Sequence, residues 1–311
     1  MKKGTWKIIV LCGFISLAMI ACGSEENNDT PEEKQKTDSE QMETAEKDQA
    51  STEIDAGEKR LHGAETGEVD TAQEPVVTEG SDATDLEIKS NEKFDVDAVL
   101  KKHLDAMEQE KLENIKSMKI TGVASQQGNN MNFTRLVKKP NKSRFEARFQ
   151  SQKMIQVYNG KEGWKYASWT KSEPQPVSPQ EIEVIKLQST IEAILANWKT
   201  KFVSVKPAGI VDFEGHEVYS MEVEVEPGKK AFFMIDKNDY LLRGVINIMT
   251  IQGRTIENIS VFKNYKKTNG IPQYHLVETK ANGEVYSTMK VDKYEYNVDV
   301  SDDMFEKNSI N

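Results

Sequence analysis

Apolar and polar residues alternate with a period of two in run after run of this chain. In Val218 to Glu226, Tyr219, Met221, Val223 and Val225 alternate with Ser220, Glu222, Glu224 and Glu226; in Arg144 to Ser151, Phe145, Ala147 and Phe149 alternate with Arg144, Glu146, Arg148 and Gln150. Successive side chains of a strand point to opposite faces, so each run has one face in hydrocarbon and one in water. Similar runs occupy Ser117 to Ala124, Met131 to Val137, Lys153 to Tyr158, Trp164 to Trp169, Ala231 to Ile235, Tyr240 to Ile251, Ile256 to Phe262, Tyr274 to Thr279 and Glu284 to Tyr294. Turn signals separate many of them: Pro140-Asn141, Asn159-Gly160, Asn269-Gly270 and Asn282-Gly283. The pattern predicts an antiparallel meander. A sheet of this length does not stay flat but curls.

Two stretches have helical spacing instead. Val96, Val99, Leu100, Leu104 and Met107 form an apolar stripe that Asp95 or Asp97 can cap. The second interrupts the strands: Pro174, Pro176 and Pro179 break them, and Ser178 is a good cap before Pro179 at the first helical position. Ile182, Ile185, Ile191, Ile194, Leu195 and Trp198 then predict one helix from Pro179 to Trp198. Both stripes have the concave face of the sheet to cover, and the space beneath them is the expected pocket.

Composition sets the boundaries. Gly23 to Lys93 holds no Phe, Trp or Tyr, and carries 22 acidic against 7 basic side chains, a net of −15. Such a stretch buries too little to offset the entropy of ordering, so it reads as an extended acidic tether. From Phe94 to Asn311 there are 31 basic and 29 acidic residues and 22 of the 24 aromatics. One folded domain is expected there, without the basic surplus that a nucleic-acid partner needs. Residues 1–21 read as a signal peptide: Lys2, Lys3 and Lys7 precede an apolar run, Ile8 to Ile20, that is short for a membrane span. The run LAMIAC resembles a bacterial lipobox, with Met19 where Leu is usual. That resemblance implies cleavage before Cys22 and acylation of its sulfur and new amino terminus, with palmitate-type chains anchoring the protein in a membrane. Cys12 falls in the removed segment, so no disulfide is expected. The start GSEEN after Cys22 resembles the surface-display signal of some Bacteroidota lipoproteins, and equally fits the beginning of an acidic tether.

Several segments in order, LENIKSMKITG (Leu112 to Gly122), LVKKPNKSRFE (Leu136 to Glu146), VYNGKEGWKY (Val157 to Tyr166), VSPQEIEVIK (Val177 to Lys186), FMIDKNDYLLRG (Phe233 to Gly244) and YNVDVSDDMFEK (Tyr296 to Lys307), resemble the LolA/LolB superfamily. The likeness is to its outer-membrane lipoprotein-sorting proteins of Bacteroidota type in particular, and it spans essentially residues 94–311. It implies an α+β fold: a curved, unclosed half-barrel of about eleven antiparallel strands whose concave face is covered by helices. It implies further that the cavity holds acyl chains of lipids or lipoproteins. In that family a basic residue before the turn proline latches the lid; here the matching residue is Lys139, which lacks the planar donor fork of Arg. A lipid anchor on a long tether departs from the soluble carrier and resembles an anchored acceptor at the outer membrane.

Candidate wall residues are aromatic, Met and Ile side chains, which suit irregular apolar cargo. The strands supply Phe133, Phe145, Phe149, Trp164 and Tyr166, with Met221 and Phe233 further on; the second helix supplies Ile191, Ile194 and Trp198. Nothing points to chemistry. His103, His216 and His275 have no Cys companions or zinc spacing, there is no GxSxG elbow, and Asp302-Asp303 and Glu181-Glu183 read as caps and solvated faces. No metal, cofactor or enzymatic activity is expected, and the protein is read as a monomer in the cell envelope, lipid-anchored at the outer membrane. The alternatives are an envelope-stress sensor, or a structural surface lipoprotein with a sealed core and no cargo.

Overall fold

The computed structural model describes residues 88–90, 93–126, 128–170, 173–251, 254–281 and 283–310. The signal segment, Cys22, the GSEEN run and the acidic stretch as far as Glu87 lie outside the described residues. A short strand β1 (Ile88–Ser90) precedes helix α1 (Val96–Ala106), and the Asp95 carboxylate caps that helix by accepting from the Ala98 backbone N–H at 3.2 Å. After a short α2 (Gln109–Glu113) comes the first meander: β2 (Ser117–Gln126), β3 (Asn129–Lys138), β4 (Lys142–Phe149), β5 (Gln152–Tyr158), β6 (Gly163–Ala167) and the two-residue β7 (Gln175–Pro176). Helices α3 (Pro179–Gln188) and α4 (Trp198–Lys201) interrupt it. The second meander holds β8 (Ser204–Phe213), β9 (His216–Glu226), β10 (Lys229–Asp236), β11 (Leu242–Ile251) and β12 (Arg254–Lys263). A separate hairpin follows, β13 (Lys266–Thr268) with β14 (Ile271–Gln273), turned by Asn269-Gly270 with both φ positive. The last strands are β15 (Leu276–Ala281) and β16 (Glu284–Tyr296).

Fourteen strands join in one antiparallel sheet, ordered β1-β8-β9-β10-β11-β12-β15-β16-β2-β3-β4-β5-β6-β7. The two edges, β1 and β7, do not pair, so the barrel is unclosed. Its middle is the β2–β16 seam, where the start and end of the fold meet. Gly122 sits on that seam with no room for a side chain: a Cβ there would lie 2.0 Å from the Lys290 carbonyl oxygen.

All eleven alternating runs form strands, and the sheet exceeds them by β1, β7 and β8. Strand β8 escapes the period-two reading because Pro207 and Gly209 break it, and a bulge lies between them. Proline is tolerated there because β1 pairs only with Ile210 and Val211, leaving Pro207 on an edge that no other described strand pairs. Strand β1 lies inside the stretch read above as tether, so pairing starts before Phe94.

A second expectation is corrected. The helix beginning at Pro179 ends at Gln188 and does not run on to Trp198; turns connect it to α4. Ser189 Oγ donates back to the Ile185 carbonyl at 2.6 Å and Thr190 Oγ1 to that of Leu187 at 2.9 Å. These hydroxyls satisfy carbonyls that the next helical turn would have used.

The core has two sides. On the concave face one cluster joins Phe133, Phe145 and Ala147 to Leu112 and Ile191, and a second joins Met221, Val223 and Phe233 to Leu100 and Leu195. On the convex face the chain's end covers β3 to β6: Phe305 and Ile310, from two 3-10 turns (Asp302–Phe305 and Lys307–Ile310), pack on Ile155 and Val157. Arg144 fixes this tail, donating to the Met304 carbonyl at 3.3 Å and to Ser309 Oγ at 2.9 Å.

Candidate functional site

Topology explains why anything covers the concave face. Strand β7 is at one edge of the sheet and β8 is next to the other, so the chain between them has to cross. It crosses over the concave face: Ile191, Ala193 and Ala196 pack in the first cluster, Leu195 in the second. The crossing starts firmly. Ser178 and Glu181 form a capping box, with Ser178 N–H to Glu181 Oε2 at 2.9 Å and Glu181 N–H to Ser178 Oγ at 3.3 Å. Lys165 of β6 also pairs with Glu181 at 2.7 Å.

Beneath this segment lies a cavity of about 180 Å³. Its floor includes Met118, Ile120 and Val137, its far wall Phe262, Tyr274 and Tyr294, and its roof Leu187, Gln188 and Thr190 through Ile194. Ligand pockets run from roughly 300 Å³ upward, so this cavity is smaller than a typical ligand site. The tyrosines are neutral walls: burial pushes the phenols of Tyr265, Tyr274 and Tyr294 above their ordinary value. The Tyr265 hydroxyl donates to the Leu242 carbonyl and that of Tyr294 to the Tyr274 carbonyl, both at 2.7 Å. Burial lowers the pKa of His103 and keeps its ring neutral, with Nδ1 2.7 Å from the Tyr240 carbonyl.

Lys139 stands where the crossing meets α2. Its ammonium donates to the Leu112 and Glu113 carbonyls at 3.2 and 2.7 Å and pairs with Glu192 at 2.6 Å. One cation thus ties the C-terminal end of a helix, where the dipole favours it, to the roof of the cavity. Burial alone would raise the Glu192 carboxyl, but Lys139 and the backbone N–H groups of Glu192 and Ile191 hold it below the ordinary carboxylate value.

The candidate wall residues divide. Ile191 and Ile194 line the cavity. Phe133 and Phe145 lie buried in the adjoining cluster, their rings stacked with centroids 5.9 Å apart, and Phe149 packs on it partly buried. Met221 and Phe233 are sealed in the second cluster; Trp198 packs on its edge and borders a separate depression beside Leu100 and Leu104. Trp164 and Tyr166 are corrected: they pack on the convex face with the C-terminal turns. Their strand has Gly163 and Ala167 in the phase facing α3 and the first cluster, so the aromatic phase faces the other way. Sequence reasoning missed Arg135, Tyr274 and Tyr294 of the cavity. The first had a legible signal, a charge in the apolar phase of β3.

Solved structures of similar fold include a DUF1329-family protein from Desulfovibrio piger, which matches with a TM-score of 0.50 and 14% identity over 68% of this chain and 99% of that one. A LolA-superfamily protein from Nitrosomonas europaea matches with 0.48 and 13% over 70% and 99%, and an outer-membrane lipoprotein-sorting protein domain from Vibrio parahaemolyticus with 0.48 and 15% over 68% and 99%. No protein-family model matches the sequence, and no curated protein does. At these identities the likeness is one of fold, an unclosed antiparallel half-barrel with helices over its concave face.

Proposed function

We propose that this protein binds acyl chains of lipids or lipoproteins in its half-barrel, held at the cell envelope by a lipid on Cys22, and serves outer-membrane lipoprotein sorting or lipid transfer. The observation that carries the reading is the roofed cavity between the concave face and the β7–β8 crossing, lined mainly by apolar and aromatic side chains. At about 180 Å³ it is too small for a long chain, so on this reading loading requires the roof to move, with Lys139, which bonds both roof and α2, as the latch. The proposal includes the Bacteroidota-type resemblance, a signal over residues 1–21, an acidic tether after Cys22 and a monomeric binding protein without catalytic activity.

The mature chain (residues 22–311, with Cys22→Ser so that no anchor is added) should, once delipidated, take up an apolar fluorescent probe saturably and release it to long-chain lipid. A folded protein that takes up nothing leaves a structural lipoprotein as the reading. In cells, Cys22→Ser should shift the protein to the soluble or unprocessed pool. Radiolabelled fatty acid on the Ser variant would sink the anchor assignment.

A further inference from the structure

Arg135 is out of place. It lies on β3 between Phe133 and Val137, both buried in apolar core, and its side chain lines the cavity. Among the described residues the guanidinium has one hydrogen bond, to Gln188 Oε1 at a long 3.4 Å, and it lies 5.4 Å from the centre of the Phe145 ring. Among the described residues no carboxylate pairs with it, and the carboxylate of the cavity lining, Glu192, is engaged by Lys139 and by the Ile191 backbone N–H. Arg135 keeps part of its surface exposed; the packing around its guanidinium disfavours the charged form, yet the ordinary value of an arginine is so high that the group stays protonated. A guanidinium presents five N–H donors in a planar fork, and a charge withdrawn from water is costly unless it is paired. This cavity therefore holds a cation for which the described residues supply no paired counter-charge.

We propose that the cavity takes an anionic amphiphile, whose chain lies among the apolar walls and whose carboxylate or phosphate head meets Arg135. The inference rests on the acyl-binding reading above and names its ligand class. A carboxylate and a phosphate both match the guanidinium fork with two parallel hydrogen bonds, whereas an ester or amide carbonyl offers one uncharged acceptor.

The test uses the delipidated mature chain (residues 22–311, Cys22→Ser) loaded with N-phenyl-1-naphthylamine, a neutral fluorescent probe. Oleate, oleoyl lysophosphatidate and methyl oleate compete in separate titrations. Either anion should displace the probe at about tenfold lower concentration than the methyl ester, and the better of the two identifies a carboxylate or a phosphate head. Arg135→Met should bring the anions level with the ester, read as the ratio of the two within that variant, and Arg135→Lys should keep part of the preference. Equal displacement by acid and ester in the wild type overturns the proposal while leaving acyl binding intact; so does a preference that survives in folded Arg135→Met. No uptake of probe by the folded wild type overturns the acyl-binding reading itself. Should Arg135→Met fail to fold, the wild-type comparison and Arg135→Lys decide the matter.

Discussion

Lys139 and Glu192 show how much of this site rests on single side chains. Lys139 was singled out only through the family resemblance, as the basic residue before a turn proline; its partner was not, because nothing local to Glu192 distinguishes it from any other surface acid. Only the path of the β7–β8 crossing brings the two within 2.6 Å. Lys139→Met removes a charge-assisted bond to two carbonyls and a half-buried carboxylate, and should cost about 2 kcal/mol of stability while speeding probe uptake. Stopped-flow fluorescence and urea denaturation measure the two effects. Lys139→Arg should restore most of the stability, and slower uptake than the wild type would mark a tighter latch. The same pair predicts a dependence on pH. The Glu192 carboxyl is depressed below its ordinary 4.5, so the stabilisation is fully present above about pH 4.5 and is lost as the pH falls through the depressed value. Uptake should therefore quicken only on the acid side of 4.5, and the Glu192→Gln variant should lack that acceleration.

At the scale of elements, periodicity was sufficient where both neighbours and burial agreed with it, as in β4, β9 and β10. It failed in β8, whose Pro207 is permitted by an edge that no other described strand pairs, a property of the neighbouring strand rather than of the proline. It overran in the second helix, where the apolar spacing persists past Gln188 but the Ser189 and Thr190 hydroxyls bond back to carbonyls of the last turn. The seam of β2 and β16 is the element pair on which the whole sheet depends. Gly122→Ala would place its methyl carbon 2.0 Å from the Lys290 carbonyl and 2.9 Å from the Phe133 ring. Strands have to part to admit it, and a loss of about 3 kcal/mol is expected. A urea midpoint unchanged from the wild type would show that the seam can yield without cost.

Over the whole molecule, the C-terminal turns and the crossing segment do different jobs on opposite faces of one sheet. Removing residues 298–311 uncovers the sites of Phe305 and Ile310, both fully buried, and strips Arg144 of its bonds to Met304 and Ser309. A loss of roughly 5 kcal/mol is expected, seen as a fall in the thermal midpoint. Probe uptake per folded molecule should not change, because the tail covers the convex face; a truncated protein that folds but no longer binds would refute that separation. The amino-acid sequence by itself determined the alternation of eleven strands, most of the turns, the cap at Ser178, an acidic cap at Asp95 or Asp97 and the apolar stripe of α1, because each depends on residues within a few positions of one another. It did not determine which phase of each strand looks inward. Alternation says only that two faces differ, so Trp164 and Tyr166 read as wall until the C-terminal turns were seen to cover them from behind. The cavity, the pairing of Lys139 with Glu192 and the lack of a carboxylate partner for Arg135 among the described residues were decided by the tertiary structure alone, since all three arise where the β7–β8 crossing passes over strands distant in the chain.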